Sequence, residues 1–361
     1  MTVDRIAILL HDFTPGGSER IAIRLANEWA RQGRQPTLIV GNDGGRLRRL
    51  VDAKIELVVA DPPVRRGFGR RRRLAQRLPA LVAVARPQLL FVPGNYHFPI
   101  AAPLARQRQR PAIVAKLSNP VDRAGRSGFG QVMFEIVLRL MLGRFDAVVA
   151  MSPALAAEAE RVLGHGRVSA IAQPTLPDSP PPLAAPVAEP VIVAAGRFVP
   201  QKRFDLLLDA MSRLATADAR LILLGDGPGR AELAAWVGRL GLDGRVSMPG
   251  HVDDIRATLD GARLCVISSD YEGYPAVAVE ALAAGVPVVT TNCSPAIGEI
   301  LPDPALGTIV PLGNAIALAA AIDARLAAPP ADRAVLAASV ADHRIGPIAA
   351  DYLALFDRLT R

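Results

Sequence analysis

The chain has 361 residues, half of them apolar, with 42 Lys and Arg against 34 Asp and Glu and a formal charge of +8. That length exceeds one ordinary hydrophobic core and calls for two domains. Its two cysteines, Cys265 and Cys293, lie in or just after apolar runs, which excludes a disulfide framework or a cysteine metal set.

The opening, MTVDRIAILL, places an acid before a short apolar run. It does not read as a signal peptide, so a cytoplasmic, reducing setting is expected. Charge is spread unevenly, with 27 Lys/Arg and 14 Asp/Glu up to residue 180, then 15 and 20. One half is therefore expected to face something anionic, the other being mildly acidic.

RIAILL (5–10) begins a series of short apolar runs that continues with TLIV (37–40), IELVVA (55–60), LLFV (89–92), AIVAKL (112–117) and DAVVAM (146–151). Runs of this kind suit strands buried on both faces. Helical periodicity between them predicts an α/β fold with a parallel, doubly wound, Rossmann-like sheet. Ligands in such sheets sit at the carboxyl ends of the strands. After the first run comes TPGGSER (14–20), where Gly16 and Gly17 let a ligand approach the backbone at a helix start. An ordinary tight turn explains the same residues. The helix that follows has Ile21, Leu25 and Trp29 spaced by fours and stops at Gly33.

RRGFGRRRRLAQRLP (65–79) holds six arginines between 65 and 73, and Arg77 besides. It reads either as a solvated loop and helix start or as a docking patch for an anionic membrane surface. Nucleic acid ranks below both, because few aromatics and no reader fold accompany it. VMFEIVLRLML (132–142) is a long apolar stretch, but it is about eleven residues and holds Glu135 and Arg139. A span needs roughly twenty apolar residues, so no crossing of a membrane is expected.

Seven prolines in 173–190 mark a linker. The boundaries expected are 1–175 for an N-terminal domain, 176–190 for the linker, 191–340 for a C-terminal domain and 341–361 for a helix packing across both. Beyond the linker the alternation resumes with VIVAAG (191–196), RLILLG (220–225), RVSM (245–248), RLCVIS (263–268), VPVVTT (286–291) and GTIV (307–310).

Three later loops matter. In AAGRFVPQKRFDLLLDAM (194–211), Arg197 and Lys202 flank one short loop and can clamp a diphosphate, unless the loop is merely solvated. In LLGDGPGRAEL (223–233) the glycines are spaced by twos, so a βα turn is a better reading than a dinucleotide site. In SDYEGYPAVAVEALAAG (269–285), Pro275 sits at a first helical position, with Ala276 and Val277 offering amides. Glu272 stands just before that helix and Glu280 inside it, acceptors suited to vicinal hydroxyls in surroundings where unpaired acids are costly.

Taken together, the GG loop, GRFVPQKRFDLLLDA, LILLGDGPGRAELAAWVGRLGLDGRVSMPGHVDD and SSDYEGYPAVAVEALAAGVPVVTT resemble the family 4 retaining glycosyltransferases of the GT-B fold, most closely from about 190 to 292. The resemblance implies two Rossmann-like domains and a hexosyl donor activated as a nucleotide-diphosphate sugar, a UDP-sugar favoured and a GDP-sugar admitted. The acceptor implied is a glycan or a lipid-linked glycan. By that resemblance Glu280 holds the ribose and Glu272 the transferred sugar, with Gly273, Tyr274, Pro275, Ala276 and Val277 beside it. Arg197 and Lys202 hold the diphosphate, aided by Gly16 and Gly17, and His251 and Val252 line the base pocket. Retention by same-face attack needs no protein nucleophile, and no obligatory metal is expected, since Asp-x-Asp occurs nowhere. Relatives often carry a histidine after the fifth strand; here Ser118 and Asn119 stand there, with His97 after the fourth strand as a substitute. Two other readings are a sugar-nucleotide 2-epimerase and an inactive nucleotide-sugar-binding module.

Overall fold

The computed structural model describes residues 2–122 and 126–360. The chain divides into two units, one of residues 1–178 with 344–361 and one of residues 179–343. The division falls inside the proline-rich stretch.

The first unit is built on a seven-stranded parallel sheet, in the order β3-β2-β1-β4-β5-β6-β7. Its strands are β1 (Arg5–Leu10), β2 (Gln35–Val40), β3 (Glu56–Val59), β4 (Leu89–Val92), β5 (Ala112–Lys116), β6 (Ala147–Ala150) and β7 (Val168–Ala170). Between them run α1 (Gly17–Arg31), α2 (Arg70–Ala85), α3 (Phe98–Ala101), α4 (Gly128–Leu142) and α5 (Pro153–Leu163). Side chains alternate across a strand, so each run feeds two cores. Ile6, Ile8 and Leu10 join α1 in one core, while Ala7 and Leu9 face α2, α3, α4 and α5 in the other.

The last helix of the chain, Ile345–Leu359, completes the first of these cores. Trp29, Phe91, Tyr352 and Phe356 meet there at ring-centroid separations of 5.2 to 6.1 Å, and Trp29 Nε1 donates to the Ala349 carbonyl at 3.1 Å. Each such ring pair contributes roughly 0.5–1.5 kcal/mol beyond its buried area. Where the sequence reading spreads this helix over both units, it groups with the first.

The second unit has six parallel strands in the order β10-β9-β8-β11-β12-β13. They are β8 (Val191–Ala195), β9 (Arg220–Leu224), β10 (Val246–Gly250), β11 (Leu264–Ile267), β12 (Val288–Thr291) and β13 (Gly307–Val310). The helices are α6 (Phe204–Met211), α7 (Arg230–Arg239), α8 (Arg256–Asp260), α9 (Ala276–Ala283), α10 (Ile297–Ile300), α11 (Ala315–Ala327) and α12 (Arg333–Ala338), which makes the closing helix α13. β11 and β12 are buried along their whole length, as their unbroken apolar runs require. Among the described residues, no helix is long and apolar enough to cross a membrane.

Candidate functional site

In the second sheet, chain order runs outward from β8 through β9 to β10 on one side and from β11 to β13 on the other. Loops leaving β8 and β11 therefore part at their carboxyl ends, which is where a doubly wound sheet opens a crevice. These loops carry Lys202 and Glu272. They are stitched together by Ser268 Oγ on the Lys202 carbonyl (2.8 Å), the Asp270 amide on the Gln201 carbonyl (2.9 Å) and Gln201 Nε2 on the Tyr271 carbonyl (2.7 Å). Arg203, at φ 47 and bonded to Asp205 and Asp270, turns the chain from Lys202 into α6. A left-handed residue other than glycine costs about 1–2 kcal/mol, a strain borne at the exit from the lysine.

Lys202 Nζ lies 2.5 Å from Glu272 Oε1, and Ser269 Oγ donates to the same oxygen at 2.6 Å. The two charged side chains are only 21% and 12% exposed, so the carboxylate is held by two donors in a place that would not tolerate it alone. The Glu272 amide donates to the Cys293 carbonyl at 2.7 Å, and Thr291 Oγ1 to the Ser269 carbonyl at 2.6 Å, which ties the acid's backbone to the end of β12. Lys202, Ser269, Glu272, Tyr274, Ala276 and Val277 line a recess of about 110 Å³. That is room for roughly four waters, or for a phosphoryl group or part of a sugar ring.

The glycine loop after β9 has a steric purpose. Gly225 and Gly227 have φ of 141 and 157, and a Cβ on either would fall 1.9 Å from the Gly196 carbonyl oxygen or 2.6 Å from that of Phe198. The spacing by twos lets this loop lie against the loop that bears Lys202. Phe198 exchanges bonds with it, its amide to the Asp226 carbonyl (2.9 Å) and its carbonyl from the Gly229 amide (3.1 Å). Gly196 in turn leaves space for the Lys202 stem, since a Cβ there would stand 3.1 Å from Lys202 Cε.

Among the other expected residues, Gly273, Tyr274 and Pro275 are buried beside Glu272. Tyr274 OH is bonded to His343 Nε2, and burial pushes the phenol well above its ordinary pKa. Pro275 caps α9 instead of opening it, and the Ala276 amide donates to the Tyr274 carbonyl at 2.9 Å. One of the two amides expected to be open is therefore spent. Glu280 is half-buried one turn into α9, and its charge adds to burial in raising the Cys265 thiol to about 12. Burial, followed by the Glu272 charge, likewise raises Cys293 to about 11, so both thiols stay inert at neutral pH. Arg197 and His251 are exposed and Val252 half-exposed, and the recess lining leaves out all three as well as Glu280. His251 Nε2 lies 3.6 Å from Asp253 Oδ1, at the carboxyl end of the edge strand β10.

In the first unit Gly16 caps α1, and a Cβ there would meet Glu19 Oε2 at 2.2 Å. The tip of α1 is thus covered by its own acid, whose pKa burial raises. The first sheet reverses between β1 and β4, and a polar cluster that the sequence reading missed sits in the loops there. Asp12 is bonded to His11 Nδ1 (3.0 Å) and to Arg66 (2.5 and 2.9 Å). Desolvation alone would raise its pKa, but these bonds and those of Thr14 hold it far below the usual range. The signal was present as an adjacent His and Asp directly after RIAILL. His97 is fully buried, and among the described residues neither ring nitrogen has a hydrogen-bond partner. Burial, then the His11 charge, depresses its pKa to about 3, so it is neutral. Ser118 Oγ donates to Asn95 Oδ1 (3.0 Å), and the Asn95 amide donates back to Ser118 Oγ at 3.2 Å, while Asn119 is half-exposed.

A family model described as Glycosyl transferases group 1 matches residues 189–328, and one described as Glycosyltransferase Family 4 matches residues 15–174. The chain is 36% identical over 160 residues to the lipopolysaccharide core biosynthesis glycosyltransferase LpsE of Rhizobium meliloti (strain 1021). That match covers 44% of each protein, so the chain spans less than half the length of this relative. Among solved structures, sucrose-phosphate synthase from Thermosynechococcus elongatus aligns with a TM-score of 0.80 over 98% of both chains, at 22% identity. Anabaena HepE in complex with UDP-glucose aligns with a TM-score of 0.72 over 98% of this chain and 97% of that one, at 20% identity.

Proposed function

Because the chain belongs to the group 1 glycosyltransferases of family 4 and has the GT-B fold, we propose that it transfers a hexosyl unit from a nucleotide-diphosphate sugar, with retention, to a glycan or lipid-linked acceptor. The work is synthesis of cell-surface polysaccharide or glycoconjugate at the cytoplasmic side of a membrane. The observation that carries this reading is the Lys202–Glu272–Ser269 arrangement at the switch point of the second sheet. It pairs a cation for a diphosphate with an acid for sugar hydroxyls across one recess.

In this reading Lys202 turns from Glu272 to the diphosphate when donor binds, and Arg197 closes on it from the other end of the loop. Glu272, relieved of the lysine, accepts from hydroxyls of the transferred sugar, with Ser269 keeping it oriented. Breaking the anomeric C–O bond leaves negative charge on the nucleoside diphosphate, and the Lys202 ammonium, once turned to it, stabilises the transition state more than the ground state. The acceptor hydroxyl attacks from the face the diphosphate leaves, and a phosphate oxygen takes its proton, which preserves anomeric configuration without an enzyme nucleophile. Glu280 accepts from the ribose, and His251 and Val252 flank the base. A UDP-sugar is the favoured donor, because a protein of the same fold has been solved with UDP-glucose. The first unit takes the acceptor, and Arg65–Arg77 touches the membrane that holds it.

A melting screen against UDP, GDP, ADP and their sugars tests this. A ligand bound only by the native state raises the midpoint, by about 2.7 kcal/mol of stability at a hundred times its Kd. If no nucleoside diphosphate shifts the midpoint, the donor site is misassigned. An epimer formed from the donor alone, with no acceptor, would replace transfer by epimerisation.

A further inference from the structure

Helix α4 is apolar on two opposite sides. Leu138 and Leu142 are buried in the core, with Phe134 and Met141 packed against it. Phe129, Val132, Met133, Ile136, Val137 and Leu140 are all exposed, Phe129 to 79% and Leu140 to 69%. Their spacing of three and four puts them on one outward stripe. The single acid of the helix, Glu135, is drawn to Arg161 at 3.1 Å, so the outward stripe carries no acid. Water is a poor neighbour for six large apolar side chains in a row, and a contiguous patch of this kind marks a surface that something covers.

A second feature lies on the same side of the sheet. Ahead of α2, Phe68 is fully exposed between Gly67 and Gly69, with Arg65, Arg72 and Arg73 exposed around it. Nearby Arg70 is held by Tyr96 OH at 2.6 Å, and Arg71 lies 4.4 Å over the Tyr96 ring. α2, α3 and α4 share one core on one face of the sheet. Both α2 and α4 follow parallel strands, so both begin at the strands' carboxyl edge. The arginine loop with its bare phenylalanine and the Phe129 end of α4 are therefore on one edge of the unit.

We propose that this edge is a two-part anchor for an anionic lipid bilayer, with the α4 stripe lying in the headgroup–acyl boundary, Phe68 inserting beside it, and Arg65, Arg72 and Arg73 on lipid phosphates. The inference deepens the membrane contact of the proposed function and rests on it. Charge complementarity chooses the occupant. A bilayer with anionic headgroups satisfies the arginines and the apolar stripe together. A second copy seated two-fold on the same face would bring like-charged loops toward one another.

Flotation of the full chain with phosphatidylcholine vesicles, with and without phosphatidylglycerol, tests the anchor. The chain rises with the anionic vesicles and much less with the neutral ones. Arg72→Ser with Arg73→Ser weakens partitioning about 30-fold, from roughly 1 kcal/mol per basic residue. Phe68→Ser, and separately Ile136→Ser with Leu140→Ser, each weaken it on the order of tenfold. All these side chains are exposed, and melting midpoints with and without UDP check that each variant is folded. An intact UDP shift with no flotation overturns the anchor and leaves the donor site standing; flotation with no UDP shift does the reverse. Variants in α4 that float like the parent also overturn it. So does concentration-dependent self-association that Ile136→Ser with Leu140→Ser abolishes while vesicles recover nothing.

Discussion

Replacing Glu272 by Gln keeps an oxygen for Ser269 Oγ but removes the charge that holds Lys202 Nζ at 2.5 Å. Among the described residues the lysine then has no anionic partner, in a place where its side chain is only 21% exposed. It is free to meet a phosphate, and a carboxylate that would repel that phosphate is gone. A hydrogen bond to a charged group contributes about 1.5–3 kcal/mol, so Lys202→Ala should weaken UDP binding about 10- to 100-fold. Glu272→Gln should leave UDP as tight or bind it up to roughly tenfold tighter, since a like charge near the phosphate is removed. UDP-glucose, if that is the donor, gains over UDP by its sugar contacts, and this gain should vanish in Glu272→Gln. Titration calorimetry of UDP and UDP-glucose against the parent, both single variants and the double variant reads each quantity. If Glu272→Gln weakens UDP as much as Lys202→Ala, the pair is only a brace between two loops. If neither changes UDP affinity, the recess is not the diphosphate site.

Glu280→Ala should weaken UDP and UMP alike by on the order of tenfold, because both carry the ribose, whereas Lys202→Ala should penalise UDP more than UMP; equal affinities of parent and Glu280→Ala for UMP would remove Glu280 from the ribose. Gly225→Ala drives a Cβ to 1.9 Å from the Gly196 carbonyl oxygen at φ 141. With backbone strain of about 1–3 kcal/mol added, the melting point should fall by about 5–10 °C, and an unchanged midpoint would refute the close crossing of the two loops. Lys116 is fully buried, bonded to Gln173 at 3.0 Å, and burial lowers its pKa to about 7. Between that value and 10.5 the unfolded chain binds more protons, so the lysine's penalty is complete below pH 7 and shrinks as pH rises toward 10.5. Urea unfolding should show stability climbing from pH 7 to 9 by at most about 1.4 kcal/mol per pH unit, and Lys116→Met should flatten that slope; a parent with no slope there would contradict the buried charge.

The alternation of apolar runs with helical periods was enough to read two parallel α/β sheets, because a strand covered on both faces has no polar side to interrupt its sequence. The loops bearing Lys202 and Glu272 could be picked out for the same reason: they follow strands, and strand ends are where such sheets bind. Other features depended on partners far away in the chain. Ser269 is an ordinary serine until the fold sets it 2.6 Å from Glu272, and Glu19 covers Gly16 only once α1 has formed. The Ala276 amide is spent on a carbonyl two residues back, a local turn that composition does not reveal. Periodicity declared α4 apolar but not which of its sides would be covered, and it spread α13 over both units, whereas Tyr352 and Phe356 meet Trp29 and Phe91 within the first. Sequence by itself determined which segments must bury and which loops leave the strand ends, since those follow from local pattern. Which polar groups pair and which apolar faces stay bare was decided only by tertiary structure, because each depends on neighbours brought together by the chain's long-range packing.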